Sequence, residues 1–334
     1  MQLAKTVKIT TIGAAVQDVF LMGEVLRARR DVRTHDFVEQ FPLGAKLELD
    51  KVIFDTGGGA TNAAVTFARH GFETQFLGKI GDDPAGAHIL QDLQREGVKT
   101  GRIKCDLDGT TGYSTLLLAP RGERTVLVYR GVSQELSADD FDNFARLKTD
   151  WLYVSSLSGN FPLLEAIVAF AQKSDVKLAI NPGSAELKQA ARLKKLLPNF
   201  AVVSLNKEEA GELSEAKTSA QRAADIARLA DIAVVTDGAK GSAASDGTSI
   251  YQAGLYEDTP VLDRTGAGDA FTSGFVASIA RGTDIPTALT FASANSTSVV
   301  GQIGAKAGIL TATAKYKKME IRETKINTQK APDA

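Results

Sequence analysis

Short apolar runs of strand-like composition alternate with helical patterns along most of the chain. Clear examples of such runs lie at residues 151–155, 177–180, 201–205 and 232–236. Strands that alternate with helices predict βαβ units, which build a largely parallel sheet with helices on its faces. In such sheets, ligands bind beyond the carboxyl ends of the strands. We therefore predict an α/β protein whose functional site lies at that edge of the sheet.

Two segments interrupt this alternation. In the first, at about residues 17–56, apolar side chains lie among charges, and Leu47 and Leu49 follow the strand period of two. In the second, at about residues 110–131, two apolar runs flank a turn-like Pro-Arg-Gly at 120–122. We expect these segments to pair as a small β-sheet lid. Because no helix would cover its far face, a ligand or a partner subunit would have to do so.

The pattern predicts one main domain at residues 1–314, with the two lid segments inserted, because no long linker or internal repeat occurs. The last residues, 315–334, are rich in Lys, Glu, Thr and Gln and poor in apolar side chains. Such a composition buries too little apolar surface to order a segment by itself. For this C-terminal extension we therefore expect a short helix at most, followed by a disordered end.

Composition narrows the possible functions. The 334 residues are 43% hydrophobic, which is enough for a large core, and the formal charge of -1 argues against nucleic acid as a partner. No apolar stretch is long enough to cross a membrane and the first residues lack a signal-peptide pattern, so we expect a cytoplasmic protein. Cys105, His35, His70 and His88 show no metal-ligand spacing and are interpreted as structural or surface residues.

The sharpest chemical signal is the sequence Asp-Arg-Thr-Gly-Ala-Gly-Asp at residues 263–269, which leads into a helical pattern. At a helix start, the small residues Gly266, Ala267 and Gly268 would leave backbone N–H groups open to phosphate oxygens. Asp269 beside them could accept the proton of a hydroxyl that attacks a phosphoryl group. The local alternative is that Asp269 caps the helix and the glycines only form a turn.

A second glycine-rich segment, Thr-Gly-Gly-Gly-Ala-Thr-Asn at residues 56–62, also opens a helix. Gly58 and Gly59 would let a ligand approach the backbone closely, and the amide of Asn62 can both donate hydrogen bonds to a polyol and accept them. These features suit a sugar. A plain connection between a strand and a helix explains the glycines equally well.

Two further motifs follow predicted strands. Asn206 and Glu209 could hold the water shell of a magnesium ion, although the same spacing is nearly a capping box, and the local pattern favours the cap. Thr236, Gly238 and Gly241 could form a turn around a nucleotide. A simple hairpin is an equal alternative for that turn.

In this order, the four motifs resemble those of the ribokinase-like (PfkB) family of carbohydrate and nucleoside kinases, over about residues 7–310. The family carries a Gly-Gly signature with a downstream Asn, then Asn-x-x-Glu, Thr-x-Gly-x-x-Gly and Asp-Thr-x-Gly-Ala-Gly-Asp. This chain departs from the last motif only at Arg264, where Thr is usual. The resemblance implies a three-layer α/β/α fold with a mostly parallel central sheet and a small inserted β-sheet lid.

The resemblance also implies a role for each matched residue. Asp269 would be the general base, and the backbone of residues 266–268 the anion hole. ATP and Mg²⁺ are the implied cofactors, and a potassium requirement is expected. The implied contacts are Asn206, Glu209, Thr236, Gly238, Gly241 and Asn295 for ATP, Glu209 for magnesium through water, Asp263 and Thr265 for the monovalent cation, and Asp18, Gly58, Gly59, Asn62 and Arg130 for the acceptor.

The acceptor side departs from ribokinase itself, which has Asn two residues before the position of Asp18 and Lys within the glycine signature. This chain has Val16 and Gly59 there, so ribose is not implied. The lid stretch ending at Arg130 looks somewhat like that of fructokinases and ketodeoxygluconate kinases, and Arg130 would suit an acidic or phosphorylated acceptor. The relatives often pair their lids, which implies a homodimer.

The leading hypothesis is therefore transfer of the γ-phosphate of ATP to a hydroxymethyl group of a sugar or sugar-like acceptor. A nucleoside kinase is the nearest alternative, because Phe20, Phe41 and Tyr113 could stack on a base. A non-catalytic metabolite sensor is another, although the chain keeps both Asp269 and the glycine loop. An NAD-dependent oxidoreductase is disfavoured because no Gly-x-Gly-x-x-Gly follows the first strand.

Overall fold

The computed structural model describes residues 6–119, 124–257 and 259–326. The strands are β1 (Lys8–Ile12), β2 (Val16–Met22), β3 (Arg29–Arg30), β4 (Phe37–Val38), β5 (Lys51–Gly57), β6 (Glu73–Leu77), β7 (Lys79–Gly81), β8 (Lys104–Asp106), β9 (Gly112–Leu118), β10 (Arg124–Tyr129), β11 (Trp151–Val154), β12 (Lys177–Ile180), β13 (Phe200–Asn206), β14 (Ile232–Thr236), β15 (Ser242–Ser245), β16 (Ser249–Ala253) and β17 (Ile321–Lys325). The helices are α1 (Gly59–Arg69), α2 (Pro84–Arg95), α3 (Phe161–Ser174), α4 (Ser184–Leu187), α5 (Ala190–Leu196), α6 (Lys207–Ala210), α7 (Ser219–Ile226), α8 (Ala267–Ala280) and α9 (Ile285–Val300).

The main sheet has the order β17-β16-β15-β14-β13-β12-β11-β1-β6. The pairs from β6 through β14 are parallel, and the remaining three pairs are antiparallel. Alternate residues of the strands enter two separate cores: Leu152 and Val154 pack on the side of α3, whereas Ile9 and Tyr153 pack with Phe275 of α8. Helices thus cover both faces of the sheet, which confirms the predicted three-layer architecture.

A second sheet has the order β10-β9-β2-β5 and confirms the predicted small inserted sheet. Strand β2 runs parallel to β9 and antiparallel to β5. The buried side chains of this sheet, Phe20 of β2 and Leu116 and Leu118 of β9, form a cluster of their own, and Ile303 packs against that cluster. The root of this sheet, where β5 ends at Gly57, leads directly into α1 at Gly59. The second sheet is therefore attached to the main body next to the glycine signature.

The C-terminal extension differs from the expectation of a short helix at most. Residues Ile321–Lys325 form β17, an antiparallel edge strand in which Ile321 pairs with Ala253 of β16. The available edge of β16 supplies backbone partners that a polar segment cannot find alone, and Met319 and Ile321 pack against the core beneath. The predicted disordered end at 327–334 lies outside the described residues, and the division at residue 314 stays a prediction.

The single cysteine and the histidines have ordinary surroundings. Cys105 is exposed, and His35 is an exposed residue in a turn. His70 is buried against the ring of Phe291, and burial lowers its pKa to about 4. His88 Nδ1 lies 2.9 Å from Gln17 Oε1. Across the described part of the chain, no group of three acidic, His or Cys side chains could hold a metal, and no helix has the length and hydropathy to span a membrane.

Candidate active site

The anion loop, residues 263–268, ends at the start of α8. Gly266 adopts φ 75°, and a Cβ on it would fall 2.5 Å from the Cβ of buried Ala305, so only glycine fits there. The first N–H groups of an α-helix have no partner within the helix and carry partial positive charge. Gly266, Gly268 and Asp269 line one cavity of about 230 Å³. The glycines of the predicted anion site and the predicted base therefore line the same cavity.

Asp269 lies in the first turn of α8 and is partly buried. Its Oδ2 accepts a 2.8 Å hydrogen bond from Asn62 Nδ2, across from the start of α1. A Cβ at Gly59 would lie 3.1 Å from Oδ1 of the same carboxylate and 2.3 Å from Ser155 Oγ, so a side chain there would crowd this oxygen. Burial raises the pKa of Asp269, while the Asn62 hydrogen bond and the charge of Lys306 lower it in part. Asp269 is thus a stronger base than a free aspartate.

A second, adjoining cavity of about 120 Å³ lies between the β14–β15 turn and the helices α8 and α9. Thr236 and Gly268 line both cavities, so the two lie next to each other at these residues. Strands β14 and β15 pair antiparallel, so the turn between them is a hairpin, which was one of the two interpretations of the sequence. Gly241 has φ 86°, and a Cβ on it would fall 2.1 Å from the carbonyl oxygen of Ala253. The lining residues are Thr236, Gly238, Gly241, Ser242, Gly254, Leu255, Ala267, Gly268, Phe271, Ser293 and Ser296.

Asn206 and Glu209 form a reciprocal capping box at the start of α6. Asn206 Oδ1 accepts from the N–H of Glu209, and Glu209 Oε2 accepts from the N–H of Asn206, both at 2.8 Å. The local prediction of a cap is therefore confirmed. Both residues also line the cavity that contains Asp269, and burial raises the pKa of Glu209. The cap orients the two side chains at the mouth of the site, so the structural and the functional interpretations are compatible.

Asp18 lies on β2 of the second sheet and is 4% exposed. Burial raises its pKa to about 7, although the charge of Lys306 and a hydrogen bond with Ser114 lower it in part. Asp18 pairs across the strands with Asp55, whose pKa burial also raises. A Cβ at Gly57 would fall 2.0 Å from Asp18 Oδ2, so the glycine signature packs directly on this carboxyl. Two neighbouring acids here share an environment that disfavours ionisation of both.

Two of the predicted site residues, Asn295 and Arg130, have other surroundings. Asn295 is fully buried, where its amide donates to the Ala270 carbonyl and accepts from the N–H of Leu310, both at 2.8 Å. It supports the start of α8, whereas Ser293 and Ser296 of the same helix line the cavity. Arg130 is exposed, and none of the hydrogen bonds or ion pairs found in the described residues involves its side chain.

Asp263 points inward and is 3% exposed. Its Oδ1 accepts from the N–H and the hydroxyl of Thr265, at 2.9 and 2.7 Å, and its Oδ2 accepts from the N–H of Gly304 at 3.2 Å. The carboxylate thus shapes the anion loop from within. Gly58, with φ 100°, lies under the start of α1, where a Cβ would fall 2.3 Å from the Ala14 carbonyl oxygen.

Several residues of the site have no motif in the sequence. Lys306 is 4% exposed and contacts Thr56 and Asp92. Gln17 Nε2 donates to the carbonyl oxygens of Asp18 and Asp55. Lys306 comes from a remote segment, so no local spacing could identify it, and Gln17 precedes Asp18 but belongs to none of the motifs. A lone Lys within the small and apolar run Gly-Ala-Lys-Ala-Gly was the one available signal for Lys306.

The comparisons with known proteins agree on one family. The model of the pfkB family carbohydrate kinases matches residues 17–312. Ribokinase from Bacillus subtilis is 28% identical over 261 residues, which covers 76% of this chain and 84% of the relative. Fructokinase from Vibrio alginolyticus is 30% identical, over 68% of this chain and 78% of the relative. The solved structure of a nucleoside kinase from Methanocaldococcus jannaschii, an archaeal member of the ribokinase family, has a TM-score of 0.71 at 18% identity, covering 90% of this chain and 94% of that one.

We predict that Asp18→Asn stabilises the protein at pH 8 more than at pH 4.5. A carboxyl whose folded pKa is raised makes stability fall as the pH increases from its unfolded value near 3.8 to its folded value of about 7. At pH 8 the full cost of ionising buried Asp18 is present, and a rise in its pKa from 3.8 to about 7 corresponds to about 4 kcal/mol. Urea unfolding of both proteins at the two pH values measures the difference.

The matched control is Asp108→Asn, on an exposed turn, which should leave the free energy of unfolding unchanged at both pH values. An Asp18→Asn difference from the parent that is the same at both pH values would contradict the prediction.

Proposed function

This chain belongs to the pfkB family of carbohydrate kinases, and we propose that it transfers the γ-phosphate of ATP to a hydroxymethyl group of a sugar or sugar-like acceptor, with Asp269 as general base. One observation carries the proposal: the partly buried carboxylate of Asp269 shares a cavity with the first backbone amides of α8. Deprotonation of an alcohol and stabilisation of a phosphoryl group therefore take place side by side.

The two oxygens of Asp269 have different tasks in this proposal. Asn62 holds Oδ2, and the absence of a side chain at Gly59 leaves Oδ1 open to the acceptor hydroxyl. Oδ1 accepts the proton as the acceptor oxygen bonds to the γ-phosphorus and the bond from that phosphorus to the bridging oxygen of ADP breaks. The backbone amides of residues 266–268 act as the anion hole for the charge that develops on the phosphoryl oxygens.

The nucleotide is assigned to the cavity between the β14–β15 turn and α9, because that cavity meets the anion loop at Gly268. Thr236, Gly238 and Gly241 line it, and the two glycines leave room for the adenosine part. A kinase of this family uses ATP and typically Mg²⁺. We propose a cytoplasmic location, where ATP is available.

Glu209 and Asn206 have the oxygen chemistry that magnesium prefers, and both line the cavity beside Asp269. Magnesium would neutralise charge on the β- and γ-phosphates. We assign Glu209 to it through water, since Mg²⁺ keeps several of its water ligands. The anion loop at Asp263 and Thr265 is the proposed place of a monovalent cation, where the hydroxyl of Thr265 lies 2.7 Å from the buried carboxylate of Asp263.

A sugar fits the acceptor side better than a nucleoside. Phe20, one of the aromatic residues that could stack on a base, is fully buried in the core of the second sheet with Leu116 and Leu118. The polar groups near Asp269, namely Asn62 and Asp18, suit a polyol that can both donate and accept hydrogen bonds. Arg130 stays a proposed contact for a charged acceptor that reaches the exposed end of β10.

We also propose that the protein forms a homodimer through the second sheet. Strand β10 lies at the edge of that sheet and exposes Leu127 and Tyr129 by 58% and 55%, and Phe54 of β5 is 66% exposed. Exposed apolar edge strands normally pair or are covered. A second copy of the sheet would satisfy both the backbone and the side chains.

We predict that Asp269→Asn lowers kcat by at least about 100-fold, because the amide cannot accept the acceptor proton. ATP binding should be retained, since the cavity at the β14–β15 turn is unchanged. The measurements are coupled-assay kinetics and calorimetric titration with ATP. Equal turnover in the mutant and the parent would contradict the assignment of the base, and binding without turnover in the parent would indicate a metabolite sensor.

We predict that an ATP-consumption screen over neutral sugars, sugar acids and nucleosides finds its highest kcat/KM with a sugar or sugar acid. The screen is run with and without potassium, and we expect stimulation by potassium. Tetramethylammonium chloride at equal ionic strength is the control for salt. A clear preference for a nucleoside would favour the alternative acceptor, and equal rates in both salts would contradict the monovalent-cation assignment.

We predict that the parent protein scatters light as a dimer, at twice the 35.4 kDa mass of the chain. Leu127→Lys should produce a monomer, because the charge would be buried at the shared edge. Leu107→Lys alters a residue that is 78% exposed outside the second sheet and is the matched control, which should stay dimeric. A monomeric parent at working concentration would contradict the dimer.

A further inference from the structure

Lys306 is a buried cation close to the candidate active site. It is 4% exposed, and its Nζ lies 3.1 Å from Asp92 Oδ2 of α2 and 2.5 Å from Thr56 Oγ1 of β5. Thr56 Oγ1 also donates to Asp92 Oδ2, so the three side chains form a closed triangle. Burying an ammonium group is costly unless it is paired and hydrogen bonded, and this triangle meets both conditions.

The segment that carries Lys306, residues 304–309, is called here the connecting segment. At its start, Gly304 donates to Asp263 Oδ2, and Ala305 occupies the space beneath Gly266. At its end, Arg69 Nη1 donates to the carbonyl oxygens of Lys306 and Ile309, at 2.9 and 2.8 Å. The connecting segment is therefore the floor under the anion loop.

The same segment also touches the acceptor side. A Cβ at Gly304 would fall 2.1 Å from Asp55 Oδ2, and Lys306 reaches Thr56, the next residue of β5. Strand β5 leads through Gly57 and Gly58 into α1, which carries Asn62, the partner of Asp269. The anion loop at 263–268 and strand β5, which are more than 200 residues apart in sequence, thus both contact the connecting segment.

The charge of Lys306 acts on both halves. It lowers the pKa values of Asp18, Asp55, Asp92 and Asp269, against the effect of burial that raises them. The charged groups that surround Lys306 are Asp92 and Arg95 of α2, Asp18 of β2, Asp55 of β5, Arg69 of α1, Asp269 of α8 and, beyond Asp55, His88 of α2. Four of the groups in this set are acids whose pKa values its ammonium lowers.

We propose that Lys306 is a positioning residue of the phosphoryl transfer. By joining Asp92 and Thr56 to the connecting segment, it holds the anion loop and the proposed acceptor-binding root of the second sheet in one geometry. The proposal rests on the kinase function proposed above. Lys306 lines neither cavity of the candidate active site; it acts through the anion loop and β5.

The test compares Lys306→Met with the double variant Asp92→Asn/Lys306→Met. Methionine keeps the length of the side chain without its charge. In the single variant the buried carboxylate of Asp92 loses the ammonium of Lys306 and keeps the guanidinium of Arg95, so a lower melting temperature is expected there. The double variant removes both charges and should recover most of that stability. Lys315→Met, at an exposed position in the next segment, is the matched control and should behave as the parent.

The kinetic readout separates positioning from stability. In both Lys306 variants we expect acceptor kcat/KM to fall about 100-fold, as for a misplaced reacting group, while the KM for ATP stays unchanged. The acidic limb of the pH–rate profile should move to higher pH, because the acids lose the cation that lowers their pKa values. Parental kinetics and an unmoved acidic limb in the double variant would overturn the proposal and leave Lys306 a purely structural residue.

Hydrogen–deuterium exchange gives a readout that does not need turnover. Amides of residues 52–57 and 263–269 should exchange faster in both variants, whereas those of the central strand β11 should not change. If the parent phosphorylates no acceptor, the proposed function fails by itself, and the exchange data still decide the inference. Unchanged exchange in both segments would overturn it.

Discussion

The start of α8 imposes the constraint on which the site depends. A carboxylate and a set of free backbone amides can share one helical turn only if the residues before them are small, because each side chain would occupy the space that a ligand needs. Gly266 meets this condition over Ala305, and Gly59 meets it across from Asp269 Oδ1. The site is thus defined by space that glycine keeps empty on both sides of one carboxylate.

Electrostatics set a second requirement. Burial raises the pKa values of Asp18, Asp55 and Asp269, which would protonate acids that the proposed chemistry needs in their ionised form. Asn62 offsets this effect at Asp269 through one hydrogen bond, and Lys306 offsets it at all three through its charge. A base whose pKa is raised by burial and lowered in part by its neighbours is well matched to taking a proton from an alcohol.

The second sheet links this chemistry to the rest of the molecule. Asp18 and Asp55 pair at its root, beside the glycine signature, while its edge strand β10 exposes apolar side chains. An edge of this kind requires a partner, so the proposed dimer and the proposed acceptor site lie on the same small sheet. Movement of the second sheet against the anion loop would change both the proposed dimer contact and the proposed acceptor site. The connecting segment around Lys306 lies where the second sheet and the anion loop meet.

The sequence by itself determined the parallel sheet and the two glycine loops, because strand period, capping and glycine conformation are local properties. Strands such as Lys177–Ile180 and Ile232–Thr236 were predicted with the bounds they have, and the cap at Asn206 was visible in four residues. Only the tertiary structure decided the partner of Asp269, the burial of Asn295, the strand at Ile321–Lys325 and the position of Lys306. Each of these depends on contacts between segments far apart in the chain, whose closeness no local pattern encodes.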